Sequence, residues 1–321
     1  SIDLETYGFI VELAGTKPAL RMTGIDLSVV PNWLVKELSP ATRYGHSLQV
    51  GLLAGIVALR QELDVKLACA AGLFHDAGCG PFPHITDELM RILLGRTHEE
   101  NVEWVLTKLE CVNDIERMGL SVSELCKVIA GRHRISPLVT SKSLDLDNAE
   151  NVYRYISTVP GRVLGETSYN PVEIALNAKL EEEALVVPKE LYDKWRGDRS
   201  RLYSFLEDHE GNITAWTMLS RAIRLLIDEI SESFFLFNNI DAFHFIRARL
   251  PRLTENLVER KFRVVCRVEA EELKLDCGVQ GSANWLKILD LEEALTSEFG
   301  FSKQEIGVEI LRSKATGKWK A

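Results

Sequence analysis

The run from Leu73 to His84, Leu-Phe-His-Asp-Ala-Gly-Cys-Gly-Pro-Phe-Pro-His, gathers two imidazoles, a carboxylate and a thiol in one short segment. His46 stands upstream and the stretch Asp145-Leu-Asp147 downstream. Imidazole nitrogens mixed with carboxylate oxygens are ligands for a divalent cation, and a cation so held can activate water against a phosphate ester. That chemistry requires residues far apart in the chain to meet around one ion.

Helix ends can bring them together. Residues 66–74 are apolar enough for a buried helix, so His75 and Asp76 emerge at its end. Gly78 and Gly80 are expected to make a sharp turn there, and Pro81 to stiffen the residues after it. His46, in Arg-Tyr-Gly-His-Ser, stands where another apolar periodicity begins, and Asp147 opens a third helix over 147–155. Two imidazoles and two carboxylates converging from helix ends can hold an ion without burying uncompensated charge. Asp145 and Asp147 also suit N-capping, and both roles are open to each. Thr97-His98-Glu99-Glu100 fits a capping box, which puts His98 in a first helical turn. His84 and Asp87, three apart, read either as an acid–base pair or as an ordinary intrahelical pair. His133, in Gly-Arg-His-Arg, reads as a surface or supporting residue.

These residues resemble the HD-domain phosphohydrolases, and within them the deoxynucleoside triphosphate triphosphohydrolases. The resemblance is collinear from about Arg43 to Leu226. It runs through Arg43-Tyr-Gly-His46-Ser, the segment from Gly72 to His84, His98-Glu99, Asp145-Leu-Asp147 and the stretch from Arg199 to His209. It implies His46, His75, Asp76 and Asp147 as metal ligands, with Mn, Fe, Co, Ni, Zn or, less comfortably, Mg as the ion. It also implies His84 as the catalytic histidine beside the scissile phosphate, supported by Asp87 and His98. Arg43 and Arg199 become phosphate contacts, a solvated surface arginine being the other reading of each.

The chain departs from that pattern at the substrate. Cys79 stands where the family usually has histidine. Asn148, Asn151 and Tyr155 replace a lysine, a tyrosine and an aspartate, and Glu207 replaces a tyrosine. Asn148, Asn151 and Tyr155 are therefore the candidate substrate contacts, at positions that grip phosphates and deoxyribose in the family. The expected function is metal-dependent hydrolysis of a nucleotide, with a deoxynucleoside triphosphate giving nucleoside and triphosphate. The alternatives are a phosphatase acting on a nucleoside monophosphate or another phosphoester, a nucleotide sensor with little turnover, and an ion that only staples the scaffold.

At 321 residues with 46% hydrophobic side chains, the chain can bury one large core plus a smaller appended unit. A mainly α architecture is expected: an HD-type helical domain over 1–250, its core about 43–226, with a small α+β unit over 251–321. Apolar recurrence every three or four positions predicts helices over 47–59, 66–74, 85–94, 101–109 and 213–230. Residues 158–171 read as a loop, 261–268 and 305–311 as strands, and 285–299 as an amphipathic helix. The net charge of -9 argues against a nucleic-acid partner and leaves a small phosphorylated substrate. Six cysteines without paired short spacing point to reduced thiols. With no apolar run of ~20 residues and no signal-peptide layout, a soluble cytoplasmic protein is expected. The resemblance implies a homo-oligomer.

Overall fold

The computed structural model describes residues 4–141, 143–182, 184–262, 264, 282–299, 302, 304–308, 311–312 and 319–320. In chain order the α-helices are α1 (Leu4–Ala14), α2 (Lys17–Arg21), α3 (Arg43–Arg60), α4 (Val65–Phe74), α5 (Pro83–Leu94), α6 (His98–Lys108), α7 (Val112–Arg117) and α8 (Val122–Ile129). They continue as α9 (Leu146–Thr158), α10 (Pro171–Asn177), α11 (Lys189–Asp208), α12 (Glu210–Leu225), α13 (Asn239–Arg249), α14 (Pro251–Val258) and α15 (Ser282–Phe299). Among the described residues the strands form two short antiparallel pairs: β1 (Lys179–Glu181) with β2 (Ala184–Val186), and β3 (Leu311–Arg312) with β4 (Trp319–Lys320). The fold is mainly α, as the periodicity predicts.

The chain divides into two compact units. The first comprises Ser1–Ser28, Ser39–Cys79 and Arg96–Arg199. At its centre α3 packs on α4, and glycine sets how closely. A Cβ on Gly72 would stand 2.7 Å from Gly51 Cα, and one on Gly51 would stand 2.8 Å from the Cys69 carbonyl oxygen. Neither distance is tolerable between packed atoms, so hydrogen at both positions lets the two backbones touch. Leu53, Val57, Leu67 and Phe74 fill the contact and are buried. Burying each of these side chains stabilises the unit by about 1.5–3 kcal/mol before entropy is charged against it. Thr42 caps α3, and Asp64 caps α4 by accepting from the Leu67 amide at 2.9 Å.

The second unit comprises Val29–Leu38, Gly80–Gly95 and Ser200–Ala321. Phe82, Leu89, Met90, Leu219, Phe234 and Phe235 lie in its hydrophobic core. Its α12 carries Arg221 and Arg224, both buried against the Glu292 carboxylate of α15. A turn is present at Gly78, closed by the Cys79 amide donating to the Asp76 carbonyl at 3.0 Å, but neither Gly78 nor Gly80 has positive φ, and the left-handed residue is Phe82, at φ 52°. Phe82 is held there by complete burial and by its amide donating to Asn239 Oδ1 at 2.9 Å. Gly80 is instead needed for space, since a Cβ would meet Thr86 Oγ1 at 2.8 Å.

Helices α3 to α6 appear where the periodicity places them, and 285–299 falls within α15. The helix predicted over 213–230 ends at Leu225 and gives way to a single 3-10 turn, Ile227–Glu229. Two features were not anticipated, α1 with α2 before residue 31, and the β1–β2 hairpin between α10 and α11. Most of the strand predicted over 261–268 lies outside the described residues. Over 305–311, residues 304–305 form a turn, 306–308 have no regular structure and Leu311 opens β3, with 309–310 outside the described residues. Among the described residues, Cys69, Cys79, Cys111 and Cys126 are buried and form no disulfide, and no helix is long and apolar enough to cross a membrane.

Candidate metal centre

His46 occupies the first turn of α3 and His75 caps the C-terminal end of α4, so the glycine contact between these helices brings the two imidazoles together. Their ring centroids are 5.2 Å apart. Asp76 is next to His75 in the chain, and α9, packed on α3, supplies Asp147 from its first turn. His46 Nε2 stands 2.9 Å from Asp147 Oδ1 and 3.9 Å from Asp76 Oδ2. His75 Nε2 stands 3.5 Å from each of the same two oxygens. Ligands about 2.1 Å from one ion lie roughly 3.0–3.5 Å from each other, which is close to this spacing.

The donor set fits a cation on independent grounds as well. His75 Nδ1 donates to the Gly72 carbonyl at 2.8 Å, which fixes the tautomer and leaves Nε2 able to bind a cation. That Nε2 and Asp76 Oδ2 are both buried and neither has a hydrogen-bond partner. Orphaned buried polar atoms are costly, and an ion between them removes the cost. His46, His75 and Asp76 have side-chain exposures of 1%, 6% and 4%, against 33% for Asp147, so the cluster opens on the Asp147 side. All four residues lie within the first unit.

Residues 43–154 match the HD domain family. Among solved structures, the chain is similar to a phosphohydrolase of Bacteroides thetaiotaomicron, with TM-score 0.62 and 18% identity, over 92% of this chain and 80% of that one. It is also similar to a hypothetical protein of Aquifex aeolicus, with TM-score 0.68 and 20% identity, over 91% of this chain and 78% of that one. These likenesses show the fold. No curated protein sequence matches the chain.

Within residues 43–154, buried charges govern the candidate ligands. His46 Nδ1 hydrogen-bonds Glu150 Oε2, a carboxylate only 1% exposed. The other oxygen, Oε1, accepts from Arg154 Nε and Nη2, both at 2.6 Å. Burial opposes a charge on His46, but Glu150 and then Asp147 outweigh it and push the imidazole up to about 10. Burial also opposes ionisation of Asp76, yet Arg43, His75 and His46 hold its carboxyl well below the usual range. Asp147 is held down in the same way, against its own burial, by His75 and His46.

The two aspartates left open by residue chemistry alone take different positions. Asp145 is the N-cap of α9, accepting from the Asn148 amide at 2.7 Å, and burial, with Asp147 second, pushes its carboxyl up to about 7. Asp147 faces the histidines. The capping box at Thr97 is present and fixes His98 at the start of α6. Arg43 is buried with Nη1 2.5 Å from Asp76 Oδ1. Asn148 Nδ2 donates to Asp145 at 2.9 Å, Asn151 is half-buried, and Tyr155 is 3% exposed with its hydroxyl 3.4 Å from Ser28 Oγ. Arg199 lies over the Trp195 ring, whose indole donates to the Asn148 carbonyl at 3.4 Å. His133 is half-buried, with Nε2 3.5 Å from Glu124. In the second unit His84 is exposed and stacks near Trp216, with centroids 6.3 Å apart, while Asp87 is half-buried.

Sequence reasoning missed Glu150 and Arg154. Their signal was helical spacing, since Asp147, Glu150 and Arg154 recur three and four apart on one face of α9.

Proposed function

We propose that this chain is a metal-dependent phosphohydrolase acting on a nucleotide, with a deoxynucleoside triphosphate as substrate and nucleoside plus inorganic triphosphate as products. The observation that carries this reading is the meeting of His46, His75, Asp76 and Asp147 through donor atoms 2.9–3.9 Å apart, two of them orphaned. A divalent cation bound there would supply Lewis-acid polarisation of a phosphoryl oxygen and acidify a water. Mixed nitrogen and oxygen donors suit Mn, Fe, Co, Ni or Zn better than Mg.

The protein's own groups have separate tasks in this scheme. Glu150 holds the His46 ring and Gly72 the His75 ring, so the ligands need no reorganisation. Arg43 and Arg199 neutralise phosphate charge, and Asn148, Asn151 and Tyr155 contact the substrate. Water adds at the α-phosphorus and the bond to the 5′ oxygen breaks. His84, with Asp87 and His98 in support, delivers the proton that the leaving 5′ oxygen needs. Homo-oligomeric assembly and a cytoplasmic setting complete the reading, the former open to sedimentation of the purified chain.

One observation favours a second substrate class. Asn148 stands where the family has a cationic lysine, and its amide is tied to Asp145. Loss of a cation suits a substrate with fewer phosphates, such as a nucleoside monophosphate. Incubation of the full chain with nucleotides and each candidate metal, with products identified by mass, separates the two. Nucleoside and intact triphosphate are expected. Orthophosphate establishes the phosphatase instead, and unchanged nucleotide with every metal overturns the enzyme.

A further inference from the structure

Three successive carbonyls follow the His75–Asp76 pair, and side chains from distant elements hold each of them. Arg21 Nη2 donates to the Ala77 and Cys79 carbonyls at 2.8 and 2.6 Å, and Asn101 Nδ2 donates to the Gly78 carbonyl between them at 2.9 Å. Ala77 and Cys79 are fully buried, so their carbonyls depend on a donor from the protein. A Cβ on Gly78 would stand 2.0 Å from the His98 carbonyl oxygen, so the turn lies directly on the start of α6, within reach of Asn101.

Arg21 ends α2, and the residues just after it touch the other ligand-bearing helix. The hydroxyl of Ser47, next to His46, donates to Met22 Sδ at 3.9 Å, and the Ile25 carbonyl accepts from the Arg43 amide at 2.9 Å where α3 begins. Met22, Ile25 and Ser47 are fully buried. Residues 21–25 therefore bracket two turns: the one after α4 that carries Asp76, and the first turn of α3 that carries His46. All of these residues belong to the first unit.

We propose that Arg21 is a positioning residue of the metal centre, its guanidinium fixing the 75–79 turn so that His75 and Asp76 are held at ligand spacing from His46. The proposal rests on the metal reading of that cluster and adds a residue that acts on it from behind, through the backbone after Asp76. One nitrogen makes both bonds, and bonds from a charged donor at these lengths are the strong kind. The rest of the bracket keeps α2 in register with α3, so the point from which Arg21 reaches does not drift. Ligands held in place before the ion arrives need no reorganisation when it binds.

Cobalt(II) alone is the probe. It is titrated into the full chain while its visible ligand-field absorption, which reports ligand geometry, is followed. Arg21→Met keeps the bulk of the side chain and removes the donors, whereas Arg21→Lys keeps a charged nitrogen on a shorter reach. Cobalt affinity is expected to fall about 10–100-fold, near the upper end with an altered spectrum in Arg21→Met and near the lower end in Arg21→Lys, as for other groups that orient ligands. A folded Arg21→Met with the wild-type affinity and spectrum overturns the positioning role and leaves the metal reading intact. No cobalt bound by the wild type overturns the metal reading and this inference with it. If Arg21→Met does not fold, Arg21→Lys decides: weaker binding by the folded protein supports the role, and wild-type binding overturns it.

Discussion

Glu150 grips Nδ1 of His46 from inside the protein, so Nε2 is the nitrogen that meets Asp147, at 2.9 Å. Such a carboxylate behind a metal-binding imidazole fixes the ring and its tautomer, and its removal typically weakens metal binding by about 10–100-fold. Glu150→Gln keeps the shape and loses the charge. Competition against a chelator should register a loss of that order, and wild-type affinity would show that Glu150 only fills space.

The same pairing makes metal uptake depend on protons. In the metal-free chain His46 titrates near 10, so at neutral pH a proton occupies the imidazole and has to leave when an ion binds. Affinity should therefore rise with pH, by about tenfold per unit for each proton released. Calorimetry in buffers of different ionisation enthalpy counts those protons. A pH-independent affinity with no proton release would contradict a protonated His46.

Stability of the metal-free chain depends on the same group. Its folded value is raised above the ordinary ~6.5, so the stabilisation from its ion pairs is complete below about pH 6.5 and is lost as pH climbs through about 10. Tm of the metal-free protein should fall across that window, and the fall should shrink in Glu150→Gln. An identical alkaline slope in both proteins would assign the effect elsewhere.

Helix contact is the precondition for the centre. Adding a methyl at Gly72 forces α3 and α4 apart, because the new carbon would lie 2.7 Å from Gly51 backbone atoms. Overpacking of this kind costs about 1–3 kcal/mol. Gly72→Ala should unfold at lower denaturant and bind metal more weakly, since His46 and His75 stand on the separated helices. Unchanged values for both would remove the glycine contact from the account.

The neighbouring aspartates should separate cleanly. Asp145→Ala deletes the α9 cap and should cost about 1 kcal/mol or more, with metal binding largely kept. Asp147→Asn should leave the cap alone and abolish tight metal binding. Denaturant melts and metal titrations on both variants check the pattern, and a reversal would exchange the two roles.

Much of this architecture is legible in the amino-acid sequence. Helical periodicity locates α3 to α6, and the capping-box spelling at Thr97 locates the start of α6. The residue types at His46, His75, Asp76 and Asp147 announce a cation, because few other combinations put two imidazoles beside two carboxylates at helix ends. Residue chemistry alone could not divide Asp145 from Asp147, since a cap and a ligand use the same carboxylate and differ only in direction, and it was the family resemblance that pointed to Asp147. Sequence placed a turn at Gly78 correctly but for the wrong property of glycine: neither Gly78 nor Gly80 has positive φ, and both are needed for a missing Cβ, against His98 and Thr86, which local spacing does not reveal. Phe82 took the left-handed conformation on the strength of tertiary packing, against its own preference. Glu150 was hidden by resembling any solvated glutamate on a helix.

The central claim is that four side chains close on one ion, and anomalous diffraction from manganese-loaded crystals tests it most directly. The account predicts a single strong peak about 2.0–2.3 Å from His46 Nε2, His75 Nε2, Asp76 Oδ2 and Asp147 Oδ1. A peak that omits His46 or Asp147, or none at that position under saturating manganese, would contradict it.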